Sequence, residues 1–199
     1  VLFDASQSGN PANVLPSAFK PVYWSTTWFP GQRAISLGMV VDQASPAFAT
    51  FPTEDWQDWQ WYHLVNSAKT FKLNGMSERF KPLAMPVIDF HKPALAGMIF
   101  EVACGKGKVL VSGVDLSANR PEARQLRRSL MDYVASPAFN PTETVTEQWF
   151  AETLMPPKRE VPPRPEAYKT ATAYIECAAF REAQSGAPIP PRGNRAHLP

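Results

Sequence analysis

The 199-residue chain has two cysteines, three histidines and no long apolar run, and each shortage removes a class of protein. Cys104 and Cys177 are far apart, too few for a disulfide framework and without the spacing of metal ligands. They are read as buried free thiols, with a bridge between them as the alternative. His63, His91 and His197 are scattered, so each is read as a structural or surface histidine rather than a metal ligand. No segment approaches the roughly 18 apolar residues of a membrane span. Charge of one sign is lacking too. The formal net charge of +2 is spread along the chain, which argues against a nucleic-acid groove. The most basic stretch, 120–128, includes Glu122 and reads as the solvated face of a helix. The opening VLFDASQSGN has neither an initiator methionine nor a charged-then-apolar leader, and reads as the start of a piece of something longer.

The usual catalytic signatures are missing as well. GKGK (105–108) lacks the GxxxxGK[ST] pattern and a following helix, so a hairpin turn explains it better than a phosphate loop. There is no GxSxG elbow and no HExxH. Glu54, Asp55 and Asp58 are close in sequence, but nothing places two of them across a cleft, as glycoside chemistry requires. No cofactor or metal is expected.

What is present suits one domain with a real core, carrying an appendage: 44% of residues are hydrophobic and 19% charged. Residues 1–20 read as an irregular lead-in, followed by a short strand candidate in PVYW (21–24). SLGMVVD (36–42) reads as a strand buried on both faces. Ser45-Pro46 opens a short helical turn through Phe48. Further strands are expected at 84–90, 95–103 and 108–116, the last two joined by a tight turn at Gly105–Gly107. Pro121 at a first helical position, with Leu126, Leu130, Tyr133 and Val134 at core spacing, predicts a helix over 121–135. Thr144 or Thr146 is positioned to cap a short helix carrying Trp149, Phe150 and Leu154. Nine of the 21 prolines fall after Met155. Residues 156–199 therefore read as an extended proline-rich arm with one helix near 166–183.

The densest aromatic stretch is TEDWQDWQWYH (53–63), with Trp56, Trp59, Trp61 and Tyr62 interleaved with Asp55 and Asp58. Two readings apply. Trp59 and Trp61, alternating with Gln60, pack the domain or an interface; or Trp56, Asp58, Trp59 and Trp61 form a carbohydrate-binding site, rings stacking on sugar faces. Trp56 is the ring expected to be most exposed.

Several stretches occur together in one order: FKPVYWSTTWFPGQ, SLGMVVDQASPAFATFPTEDWQDWQWYHLV, GMIFEVACGKGKVLVSGVDL and ARQLRRSLMDYVASPAFNP. They resemble the carboxy-terminal accessory region of bacterial glycoside hydrolase family 2 proteins of the β-galactosidase-like type. That region is in turn similar to the class I glutamine amidotransferase-like α/β domain. The resemblance spans about residues 19–155. It implies an α/β fold with a flavodoxin-like sheet and flanking helices, lacking its first strands, over 1–155. It implies a non-catalytic accessory role, since the catalytic glutamates of such enzymes lie in a barrel this chain does not contain. No catalytic residue is carried over, and neither cysteine matches the amidotransferase nucleophile. The implied partner is the remainder of a larger glycoside hydrolase or a second polypeptide completing the sheet, with carbohydrate as a further ligand. A periplasmic or extracellular setting goes with that family. The alternative is an independent carbohydrate-binding or protein-interaction module.

Overall fold

The computed structural model describes residues 1–17, 36–88 and 94–157, and within it Val1–Pro157 forms one compact unit. In chain order the elements are β1 (Leu2–Asp4), β2 (Val14–Pro16), β3 (Gly38–Val41), a 3-10 turn (Pro46–Phe48), α1 (Trp61–Asn66), β4 (Lys69–Lys72), β5 (Ala84–Val87), β6 (Ala96–Gly97), β7 (Ile99–Cys104), β8 (Gly107–Ser112), α2 (Pro121–Ala135), β9 (Thr144–Val145) and α3 (Glu147–Leu154). The fold is mixed α/β. The PVYW strand candidate and the helix near 166–183 lie outside the described residues.

The main sheet runs β1-β8-β7-β5-β3, with β9 pairing with β7 off that path. β1 is parallel to β8 and β9 to β7, whereas β7 runs antiparallel to β8 and β5, and β3 antiparallel to β5. A smaller antiparallel sheet, β2-β4-β6, lies beside it. Side chains alternate across the main sheet, so each central strand feeds two cores. Ile99 and Leu110 join Met39, Val41, Trp61, Leu126 and Leu130 in one cluster, towards α2 and α1. Phe100, Val102 and Val111 join Phe71, Leu73 and Leu154 in the other, towards the small sheet and α3. Each fully buried leucine of this kind contributes on the order of 1.5–3 kcal/mol.

Local chemistry sets most boundaries. Gly105 adopts φ +57° in the two-residue turn that closes Cys104 opposite Gly107; positive φ at the first turn position alone is the pattern of II′ hairpins. α2 begins with Pro121 after an extended Arg120, carries Glu122 in its first turn, and buries Leu126, Leu130 and Tyr133, with Val134 partly buried. Thr146 caps α3, its Oγ1 accepting from the Trp149 N–H at 3.0 Å. Ser45 does the same for the 3-10 turn, accepting from the Ala47 N–H.

Three expectations need correction. Residues 1–20 are not an irregular lead-in, because they contain β1 and β2. A three-residue strand carries no readable period; β1 exists through pairing with Leu110–Ser112, remote in sequence. The 36–42 strand is not buried on both faces. Met39 and Val41 point inward, but Val40, on the opposite face, is 48% exposed; β3 is the last strand of the main sheet's path and, among the described residues, meets an isolated bridge at Trp56 on its far side. The 95–103 strand is two strands in different sheets. β6 pairs with β4, and the chain crosses at Met98 into β7. Gly97 permits that crossing, since a Cβ there would stand 2.8 Å from both Leu73 and Phe100 side-chain carbons.

Candidate functional site

The aromatic strip is divided by the start of a helix. Residues 55 and 56 lie along β3, where Val41 N–H donates to Asp55 C=O at 2.9 Å. The chain then turns, with Trp61 N–H bonding Asp58 C=O and Tyr62 N–H bonding Trp59 C=O, and enters α1. Helical spacing from Trp61 sends Trp61, Leu64 and Val65 inward at i, i+3 and i+4. Trp61 is completely buried, with its ring edge-to-face against Phe51 (5.1 Å) and Phe48 (5.9 Å). Its indole N–H donates to Thr53 Oγ1 at 2.8 Å, so the one polar atom of the ring is satisfied.

Trp59 goes the other way. It is 87% exposed, Trp56 is 61% exposed and Tyr62 37% exposed. The Trp59 and Tyr62 ring centroids are 6.2 Å apart with planes inclined at 48°, and the Tyr62 ring meets the His63 ring at 5.1 Å. Reading Trp59 and Trp61 as alternating neighbours on one face assumed a strand period of two. A turn into a helix puts them on opposite sides, so packing applies to Trp61 and not to Trp59. Trp56 is exposed as expected, but Trp59 is more so. Of the four residues named for carbohydrate contact, Trp56, Asp58 and Trp59 reach the surface and Trp61 does not. Tyr62, absent from that set, belongs with the exposed rings; the i, i+3 spacing from Trp59 was the available signal.

Two acceptors in the strip, Gln57 Oε1 and Asp58 Oδ1, are shielded and have no hydrogen-bond donor. Gln60 Nε2 donates to Pro52 C=O and ties down the turn. Glu54 and Asp55 are exposed.

The other candidate centre lies between the sheet and α2. Glu101, the lone charge in the apolar run MIFEVA, sits on β7, and its Oε2 accepts the Tyr133 O–H at 2.8 Å. Burial raises the Glu101 carboxyl above its ordinary value of 4.5, outweighing the opposing hydrogen bond from Tyr133. The Tyr133 hydroxyl is raised as well, by burial first, then by its hydrogen bond to Glu101 and the charges of Glu101 and Asp42. A carboxyl raised in the folded state adds stability in full below 4.5 and loses it as pH rises through the folded value. Glu101→Gln, which keeps an acceptor for Tyr133, is therefore expected to melt higher than the parent chain at neutral pH. The gap should close as pH falls towards about 4.5. Thermal melts across that range check this, and a gap that widens on acidification would reverse the assignment.

Two surface clefts lie among the described residues. One of about 250 Å³ is lined by Leu2, Asp4, Leu116, Ser117, Arg127 and Met131; another of about 200 Å³ lies over Thr50, Ser129 and Tyr133. Both fall below the ~300 Å³ at which small-molecule pockets usually begin. Cys104 is a free, partly buried thiol; Cys177, His91 and His197 lie outside the described residues. His63 is exposed on α1. Among the described residues no three His, Cys, Asp or Glu side chains are grouped to hold a metal. No described helix is long and apolar enough to cross a membrane. The basic stretch is a solvated helix face as read, with Arg128 paired to Asp132 one turn on at 3.8 Å.

The chain belongs to the family described as Domain of unknown function (DUF8487), whose model matches residues 1–155. No curated protein matches it.

Proposed function

We propose that this member of the family is a non-catalytic accessory domain of a β-galactosidase-like glycoside hydrolase, whose remaining part completes the main sheet at β1. The ordered stretches quoted above support the kinship. The observation that carries the reading is the β1 edge. β1 pairs with β8 on one side and with no described strand on the other. Leu110 N–H bonds Val1 C=O, and Ala5 N–H bonds Ser112 C=O, so the alternate backbone groups at Leu2 and Asp4 face away from the sheet. Beside that edge lies the cleft of Leu2, Leu116 and half-exposed Met131. An edge with no described strand beside it, flanked by apolar side chains, is a template for a further strand.

The likeness to the amidotransferase-like, flavodoxin-like sheet belongs to the same proposal. The parallel pairing of β1 with β8, and the passage from β8 into α2, support it; the antiparallel run β3-β5-β7 is a departure from it. In the intact enzyme two barrel carboxylates would hydrolyse a terminal glycosidic bond, and this domain would support the barrel or its oligomer contacts.

The purified chain is expected to leave chromogenic β-galactosides intact. Co-expressed with the barrel polypeptide of the same locus, it should co-purify, and Met131→Glu should weaken that association. Turnover by the chain alone that disappears with Glu54→Gln or Asp58→Asn would overturn the reading.

A further inference from the structure

We infer that the ridge formed by Trp56, Trp59 and Tyr62 is a binding surface for a neutral saccharide. Three features combine to point there. Trp56 and Trp59 are exposed yet held: Trp59 meets the Tyr62 ring at the entry to α1, which Trp61 anchors in the core between Phe48 and Phe51. Exposed rings on a rigid base lose little freedom on binding, and an exposed apolar patch rimmed by polar groups marks an interaction site.

The second feature is charge. Residues 43–67 contain no Lys or Arg, while Glu54, Asp55 and Asp58 supply carboxylates. Carboxylates of this segment disfavour uronates, sialates and phosphates, and offer acceptors to uncharged hydroxyls. The third is the pair of donorless acceptors, Gln57 Oε1 and Asp58 Oδ1. Both belong to partly buried side chains, and their terminal torsions are soft, so a rotation about the last bond would present either oxygen to a ligand hydroxyl. A few polar groups beside apolar rings are what orient a small ligand.

The surface lies on α1 and its leading turn and does not depend on the β1 edge, so it stands whether or not the accessory-domain reading does. Galactobiose, cellobiose and xylobiose, titrated separately into the full chain, test it by tryptophan fluorescence and calorimetry. At least one should give a saturable response. Trp59→Ala should weaken it by about tenfold or more with the melting temperature unchanged, and Trp59→Tyr should restore most of it. A parent chain that responds to none of the three, or a Trp59→Ala variant that binds as well as the parent, would overturn the inference. So would binding of a lysine-rich peptide in place of any sugar.

Discussion

Replacing Trp61 with alanine is expected to lower the unfolding free energy by about 3–5 kcal/mol, the usual cost of emptying a large buried aromatic site. Trp61 is fully buried, and its removal deprives Phe48 and Phe51 of their edge-to-face partner and Thr53 of the indole N–H. The void would lie where α1 meets the 3-10 turn that packs on α2, within the larger of the two core clusters. Trp59→Ala is the internal control. Two positions away, on a ring almost entirely in solvent, it should change stability by no more than about 0.5 kcal/mol. Urea unfolding of the two variants separates the cases. Equal losses would mean that Trp59 is packed as deeply as Trp61.

Gly113→Ala is expected to be as damaging for the opposite reason. A Cβ at Gly113 would lie 1.9 Å from the Lys69 carbonyl oxygen and 3.3 Å from that of Met98. Both obstacles are backbone, and both are bonded to the glycine they face. Lys69 N–H donates to Gly113 C=O at 2.8 Å, and Gly113 N–H to Met98 C=O at 2.7 Å. This is where the main sheet, ending at Ser112, touches the small sheet at the start of β4. No rotamer change relieves such a clash, so the sheets must part or the two hydrogen bonds must break. Overpacking typically costs 1–3 kcal/mol where side chains can yield; here about 3 kcal/mol or more is expected, with loss of soluble protein the practical sign. Gly38→Ala, with nothing within 4 Å of the added carbon, should be close to neutral. A Gly113→Ala protein melting within a degree or so of the parent would show that the two sheets do not meet there.

These effects sit on features of differing legibility. α2 could be read outright, because fifteen residues give the Leu126, Leu130 and Tyr133 spacing room to repeat, and Pro121 marks its first turn. The β7–β8 hairpin was readable for a similar reason: two apolar runs of adequate length flank a glycine that alone accepts positive φ. The caps at Ser45 and Thr146 need only a side-chain oxygen within three residues of an unpaired N–H. All of these are settled within about one turn or one hairpin of chain.

What the sequence left open was everything decided by partners distant along it. β1 is a strand because Leu110–Ser112 accept it. The apolar run at 95–103 is divided because β4 claims Ala96 and Gly97 while β8 claims Ile99 onwards. Val40 is exposed on the face opposite Met39 and Val41, in a strand that ends the sheet's path, and no local pattern distinguishes an end from a centre. The candidate site shows the same limit at its sharpest. Composition placed four aromatic rings within seven residues, and Asp58 and Gln57 beside them. Which rings face the core depends on whether the backbone there follows a period of 2 or 3.6, and that was settled by where α1 could begin against Phe48 and Phe51. By itself the sequence determined helix, hairpin and caps, since their energies lie in contacts between near neighbours. Only the tertiary structure sent Trp61 inward and left Trp59 out, because burial is a property of what a residue packs against.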